Sequence, residues 1–239
     1  MSLDTPYARS ARIYDLIYDF KDFPRTTERL RSLIHEHARG ARSLLDVGCG
    51  TGRHLELLGP SLDRVGIDLS EEMLEIARVR CPEVELHQGD MATTTLNRQF
   101  DVVCCLFSAV AYVGTQQRLT DAIRTMAAHL APGGLLVVEP WLSPEQYWDG
   151  HLVVNHTAAD DLKITWMYVQ TRVDGRSRFD IHYLIGSPAG VTHFVERHEM
   201  GLFTEEEYRA AFLDAGLDPT YDDKGLFGRG LYRAVKSAP

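Results

Sequence analysis

The sequence predicts an α/β protein built on an open parallel sheet, with a separate antiparallel patch in its second half. Three observations lead there. Strand-like apolar runs alternate with helical periodicity from about residue 43 to 139, the pattern of parallel strands joined by right-handed crossovers. The first of these runs feeds straight into Gly48-Cys49-Gly50-Thr51-Gly52, the kind of turn that opens a ligand crevice at a strand end. From about Ser143 to Gly201 the helical period vanishes and an alternation of two replaces it, as in hairpins.

Taken in order, Ala11 to Phe20 and Thr26 to His37 carry apolar side chains three and four apart, with Pro24 expected to break the run between them. Ser43 to Val47 is the first strand, and Arg64 to Asp68 the second after a short helical pattern. Ser70, followed by two glutamates, caps a helix to about Arg80. Val84 to His87 is a third strand, and Phe100 to Phe107 is a fourth, apolar enough to be buried on both faces. A helix over about Gln117 to Leu130 stops at Ala131-Pro132-Gly133-Gly134, and Leu135 to Glu139 is the fifth strand. Period-two runs follow at 151–154, 163–169 and 179–185, separated by turn signals at Asp174-Gly175 and Ser187 to Gly190. Thr204, with three glutamates after it, opens a helix through a capping box. Two strands, near Asp218 to Tyr221 and Leu231 to Val235, end the chain.

Composition narrows the function classes. The 239 residues are 44% hydrophobic and 25% charged, the balance of an ordinary globular protein. A net charge of −9 argues against a surface that tracks nucleic-acid phosphates. No apolar stretch approaches the ~20 residues of a membrane span, and the first residues lack the basic-then-apolar order of a secretory signal. Cys49, Cys81, Cys104 and Cys105 form no metal or disulfide framework, so a reducing cytoplasm is expected. The histidines show no metal-ligand spacing, and no metal is expected.

The glycine turn carries the chemistry. A dinucleotide fingerprint would need its third glycine at position 53, where Arg53 stands. Asp46-Val47-Gly48-Cys49-Gly50-Thr51-Gly52 instead resembles the first motif of class I S-adenosylmethionine-dependent methyltransferases. Two acids at the next strand ends agree with it: Asp68, placed to accept ribose hydroxyls, and Asp90, placed to accept an adenine amino proton beneath Met91. The resemblance implies a Rossmann-like sheet of seven strands in the order 3-2-1-4-5-7-6. It also implies S-adenosylmethionine as cofactor, S-adenosylhomocysteine as product, and cofactor contacts from Tyr14, Asp46, Gly48, Gly50, Gly52, Asp68, Leu69, Asp90, Met91 and Leu106.

A narrower resemblance spans nearly the whole chain. Tyr14-Asp15-Leu16, His87 to Met91, Phe107-Ser108, Val137 to Trp141, Leu202-Phe203-Thr204 and Gly228 to Leu231 are similar to stretches of the TDP-aminosugar N,N-dimethyltransferases of desosamine and mycaminose biosynthesis. The family implies N-methylation of a TDP-linked 6-deoxy aminosugar in antibiotic sugar biosynthesis, with two successive transfers. Residues 1–40 are then a helical lid, 41–142 with 202–239 the cofactor-binding core, and 143–201 the cover over the acceptor. Tyr7, Trp141, Arg176, Arg178, His182 and Arg229 are the substrate-binding candidates, the arginines because a diphosphate needs bidentate cations. Tyr112 and Glu139 are the catalytic candidates, orienting an amine that binds already neutral, since a tyrosine with pKa near 10 is a poor base. The other readings are O- or N-methylation of a different small metabolite and a catalytically silent binder of the cofactor. A nucleic-acid or membrane partner is not expected, and the assembly to test is a homodimer.

Overall fold

The structure, a computed structural model, describes residues 6–238; residues 1–5 of the expected lid and Pro239 lie outside the described residues. Helix α1 (Ala11–Ile17) is shorter than its periodicity suggests, and α2 (Phe23–His37) begins earlier. Pro24 does not break the run but sits in the first turn of α2, where a missing N–H costs nothing. The Asp22 carboxylate caps that turn, accepting the Arg25 N–H at 2.9 Å.

The alternating segment folds as β1 (Ser43–Val47), α3 (Arg53–Leu58), β2 (Asp63–Asp68), α4 (Glu71–Arg80), β3 (Glu85–Gln88), β4 (Phe100–Cys105), a 3₁₀ turn over Ala109–Val113, α5 (Gln116–Ala128) and β5 (Leu130–Val138). Ser70 caps α4 as its spacing predicts, its Oγ accepting the Met73 N–H at 3.2 Å. The period-two region becomes β6 (Leu152–Ala159), β7 (Leu162–Val169), β8 (Thr171–Val173), β9 (Arg176–Ser187) and β10 (Gly190–Gly201). The chain closes with α6 (Glu205–Asp214), β11 (Thr220–Asp222) and β12 (Leu231–Val235), and the capping box of Thr204 and Glu207 is formed.

Two sheets result. In the first, the order is β3-β2-β1-β4-β5-β12-β11. Strands β1 to β5 pair in parallel, and β12 is antiparallel to both its neighbours. This is the predicted order 3-2-1-4-5-7-6, with the chain's last two strands in the final places. Apolar clusters cover both faces, one under α5 and α6, the other under α2, α3 and α4. Because the strand order reverses between β1 and β4, a crevice opens there beside the glycine turn.

The second sheet runs β10-β9-β7-β6, with β8 on β9. Ile164, Trp166, Phe179, Ile181, Tyr183 and Phe194 form its buried face, packed against Ile17 of α1 and Ala111 of the 3₁₀ turn. Strand β10 is not among the three runs named from periodicity, yet it pairs with β9 from Gly190↔Ser187 to Gly201↔Arg176. Its inward positions include Glu196 and His198, both 2% exposed, so polar residues stand where alternation would lead one to look for apolar ones. Among the described residues no helix is long and apolar enough to cross a membrane.

Gly52 ties these layers together. It is left-handed (φ +77°), caps α3, and a Cβ there would stand 3.2 Å from the Ala77 Cβ of α4. Gly52→Ala should therefore lower the unfolding free energy by about 1–2 kcal/mol. A urea titration should show an earlier midpoint with an unchanged slope.

Candidate active site

The crevice is an open cleft lined among others by Tyr14, Gly48, Gly50, Leu69, Met91 and Leu106, at the place where an open parallel sheet takes its ligand. The two lining glycines serve different ends. At Gly48 a Cβ would meet the Ala109 Cβ at 2.6 Å, so β1 and the 3₁₀ turn approach closely only through glycine. At Gly50, also left-handed (φ +56°), a Cβ would meet nothing within 4 Å. Its backbone therefore faces free space, where a ligand can come close.

Three carboxylates stand around this turn. Asp46 is buried, and its carboxylate accepts a hydrogen bond from the Cys104 thiol at 3.6 Å. Burial pushes its pKa up to about 7. Asp68 accepts the Gly50 N–H at 2.7 Å on one oxygen and the Ser70 N–H at 2.9 Å on the other, so both oxygens are aimed. Burial raises its pKa as well. Asp90 accepts the Ala92 N–H at 2.9 Å and pairs with Arg118 at 2.6 Å; these bonds hold its pKa down against the opposing effect of burial. Arg118 lines the cleft too.

Aromatic rings close the other side. Tyr7, itself left-handed (φ 67°), meets Tyr14 edge-on with centroids 5.4 Å apart. Its hydroxyl lies 2.6 Å from that of Tyr112, which lies 2.8 Å from Nδ1 of His198. Burial holds the pKa of Tyr7, Tyr14 and Tyr112 well above the usual phenol value. At neutral pH all three are therefore uncharged donors and acceptors, not bases.

A strained turn follows β4. Phe107 and Ser108 are consecutive left-handed residues (φ 52° and 62°), a conformation that costs an L-residue roughly 1–2 kcal/mol. Buried Glu139 holds the turn, one oxygen accepting the Phe107 N–H at 2.6 Å and the other the Phe227 N–H at 3.0 Å. Burial pushes the pKa of Glu139 up to about 7, against those bonds and nearby Arg229 and Lys21. Ser108 donates to the Pro140 carbonyl at 2.6 Å and accepts from Arg229 at 3.3 Å. The Arg229 guanidinium lies 4.3 Å from the centre of the Trp141 ring and 5.9 Å from that of Phe107. Lys21 approaches the same Phe107 ring at 4.7 Å and Phe227 at 4.9 Å. Burial and the Arg229 charge bring the Lys21 pKa down to about 8.

The structure thus gathers Tyr7, Tyr14, Gly48, Gly50, Asp68, Leu69, Asp90, Met91, Leu106 and Tyr112 on one cleft, with Asp46 in an adjoining recess that shares Tyr14, Gly48, Gly50 and Leu106. Trp141 and Arg229 stand together behind Phe107. Gly52 is not on the cleft wall; it packs on α4. Glu139 lies behind the wall with both oxygens engaged. Arg176, Arg178 and His182 alternate with buried Ser177, Phe179 and Ile181, so they occupy the opposite face of the second sheet. There Arg176 and Arg178 both face Glu199, and His182 stacks on His193. Sequence reasoning missed Arg118, Lys21 and His198, whose partners lie far along the chain.

Comparison with known proteins decides the family. A methyltransferase domain model matches residues 44–134. The chain is 40% identical over 232 residues to a dTDP-3-amino-3,6-dideoxy-alpha-D-glucopyranose N,N-dimethyltransferase of Streptomyces fradiae, covering 95% of this chain and 91% of that protein. A dTDP-3-amino-3,4,6-trideoxy-alpha-D-glucopyranose N,N-dimethyltransferase of Streptomyces venezuelae is also 40% identical, over 94% and 97% of the two chains. The chain belongs to the family of TDP-aminosugar N,N-dimethyltransferases. Among solved structures, Streptomyces venezuelae DesVI superposes with a TM-score of 0.92 at 39% identity, over 96% of this chain and 99% of that one. The aminopentose methyltransferase CalS10 of Micromonospora echinaspora, solved with S-adenosylmethionine bound, gives 0.87 at 38%, over 94% and 97%.

This methyltransferase uses S-adenosylmethionine, and the cleft fits it. Asp46 is a buried carboxylate with no cation paired to it among the described residues, and Gly50 exposes bare backbone to the cleft. Asp68 stands across the same turn, its oxygens aimed by backbone N–H groups. Among the described residues no cluster suited to a metal ion is found.

The strained turn offers a direct check. Glu139→Gln keeps one acceptor but turns an amide donor toward a backbone N–H. It should destabilise the methyltransferase by about 2 kcal/mol and speed hydrogen exchange at Phe107 and Phe227 beyond that of β4.

Proposed function

We propose that the enzyme transfers methyl groups to the amine of a TDP-linked 6-deoxy aminosugar, a step of antibiotic sugar biosynthesis. The observation that carries this reading is the pairing of Lys21 and Arg229. Both cations approach one ring, Phe107, and neither makes an ion pair with a carboxylate among the described residues. Two neighbouring cations repel, and a diphosphate between them would relieve that repulsion while accepting their hydrogen bonds. Trp141, whose ring centre lies 4.3 Å from the Arg229 guanidinium, helps hold that cation in place for it.

Bound S-adenosylmethionine supplies an electrophilic methyl on a sulfonium. The residues contribute position and a dry setting. Asp46 neutralises the cofactor's ammonium, Asp68 takes the ribose hydroxyls, and Asp90, Leu69 and Met91 surround the adenine. Arg118 steadies Asp90. Tyr14 and Tyr7 close the cleft from the lid, residues 1–40, and the segment 143–201 covers the acceptor. Tyr112 orients the amine, which binds neutral because a phenol held well above its usual pKa takes no proton from it. Glu139 acts at a distance by holding the Phe107–Ser108 turn. The outer face of the second sheet, with exposed Leu152, Val154, Met167 and Leu184, is where a homodimer would form. The four buried free cysteines suit the cytoplasm.

Titration calorimetry with TDP in the presence of S-adenosylhomocysteine tests the reading. TDP should bind, and Lys21→Gln or Arg229→Gln should each weaken it by about tenfold or more. Absence of TDP binding to a protein that holds the homocysteine product returns the acceptor to other small metabolites. The pH dependence of S-adenosylhomocysteine binding checks Asp46. Below about pH 7 its carboxylate takes up a proton and no longer offsets the ammonium. Affinity should then fall by up to tenfold per pH unit, and Asp46→Asn should bind more weakly at pH 8 with a flat profile.

A further inference from the structure

His198 of β10 has no part in the reading above, although it touches the residue placed nearest the amine. It is 2% exposed and stacks flat on Phe179, with centroids 5.6 Å apart and planes 8° from parallel. Its Nδ1 lies 2.8 Å from the Tyr112 hydroxyl, which in turn lies 2.6 Å from the Tyr7 hydroxyl. Its Nε2 is buried and meets no hydrogen-bond partner among the described residues. Burial brings the pKa of the ring down to about 4, so at neutral pH the imidazole carries one proton.

The chemistry of the pair sets the direction of that chain. A phenol is the better donor and a neutral imidazole nitrogen the better acceptor, as their ordinary pKa values near 10 and 6.5 imply. Tyr112 therefore donates its only hydrogen to Nδ1, and the imidazole proton resides on Nε2. Tyr7 donates to the Tyr112 oxygen, which keeps one lone pair for the cleft. An acceptor amine facing Tyr112 then meets a lone pair and gives it an N–H. The nitrogen's own lone pair, which must attack, stays unengaged. Without a partner at Nδ1 the Tyr112 hydrogen is released to the strongest acceptor within reach, and a neutral amine is a stronger acceptor than the Tyr7 phenol.

Resting on the proposed aminosugar reading, we infer that His198 is a positioning residue: it takes up the Tyr112 hydrogen so that this phenol cannot mask the amine lone pair. The inference makes a prediction opposite to that of a packing role. His198→Phe should lower kcat about tenfold, the cost of breaking one hydrogen bond to the nucleophile before attack, without raising KM for the aminosugar. Tyr112→Phe added to that variant should raise kcat above that of His198→Phe, to the level of Tyr112→Phe alone, because it removes the hydrogen that does the masking. His198→Asn, whose side-chain oxygen reaches the place of Nδ1, should stay within about threefold of the parent.

Steady-state kinetics on a TDP-aminosugar should be paired with nitrogen-15 NMR of the histidine side chains in the complex with S-adenosylhomocysteine. The expected result is an Nε2-protonated neutral His198 together with rescue of His198→Phe by Tyr112→Phe. An Nδ1-protonated ring, or a double variant no faster than His198→Phe alone, overturns the inference. If the parent enzyme methylates no aminosugar, the substrate reading fails instead, and the NMR result still decides the direction of the chain.

Discussion

The buried carboxylate of Glu139 is the constraint on which the acceptor side depends. It ends β5, and its two oxygens take backbone N–H groups from Phe107 and Phe227, more than a hundred residues apart in the chain. Phe107 is held in a left-handed conformation that an L-residue avoids, and it forms part of the cofactor cleft wall. Its ring is also the surface over which Lys21 and Arg229 gather, and it meets Tyr18, at the end of α1, edge-on at 5.1 Å. A single buried acid thus sets where one ring stands, and that ring separates the methyl donor from the cations proposed for the diphosphate.

The same acid shapes the local field. Burial disfavours its charge, while Arg229 and Lys21 favour it. Those two cations also repel, which with burial makes Lys21 a weaker base than a free lysine. The site therefore contains one partly satisfied acid between two partly unsatisfied bases. An anionic ligand improves this balance more than a neutral one would, since it adds the negative charge that Glu139, with both oxygens bonded to backbone, cannot bring closer. The proposed diphosphate handle thus rests on the residues around Phe107 and not on the net charge of the chain, which has the wrong sign for it.

Much of the cofactor side was legible in the sequence because one rule governs it: in a parallel sheet, the ligand sits past the strand ends. Asp46, Asp68 and Asp90 end or follow successive strands, and the glycine turn marks which end is used. The acceptor side obeys no such local rule. Arg178 and His182 lie on the outer face of β9, because parity and not charge decides the side a strand residue takes; Phe179, Ile181 and Tyr183 mark the buried face, and their even-numbered neighbours point the other way. Lys21, Arg118 and His198 could not be found by spacing, since each acquires its role from a tertiary partner. Glu139 has the sequence position of a reactive acid at a strand end, but Phe107 and Phe227, distant in the chain, engage both its oxygens through backbone N–H groups.

The N-terminal segment joins the two halves of the site, and its fastenings explain how. Glu196 of the second sheet accepts the N–H groups of Arg9 and Ser10 at 2.6 and 3.0 Å, which pins the turn that carries Tyr7. Farther along α1, Asp15 accepts from the Thr51 hydroxyl at 2.8 Å and pairs with Arg80, so this end is tied to the glycine turn and α4. One short helix is therefore anchored to the second sheet at its start and to the glycine turn in its middle. Tyr7 and Tyr14 project from either side of that span into the same cleft. Each set of anchors includes a carboxylate, and hydrogen bonds to a charged acceptor are worth more than neutral ones. The placement of the two rings is therefore tied at once to the second sheet and to the glycine turn of the first.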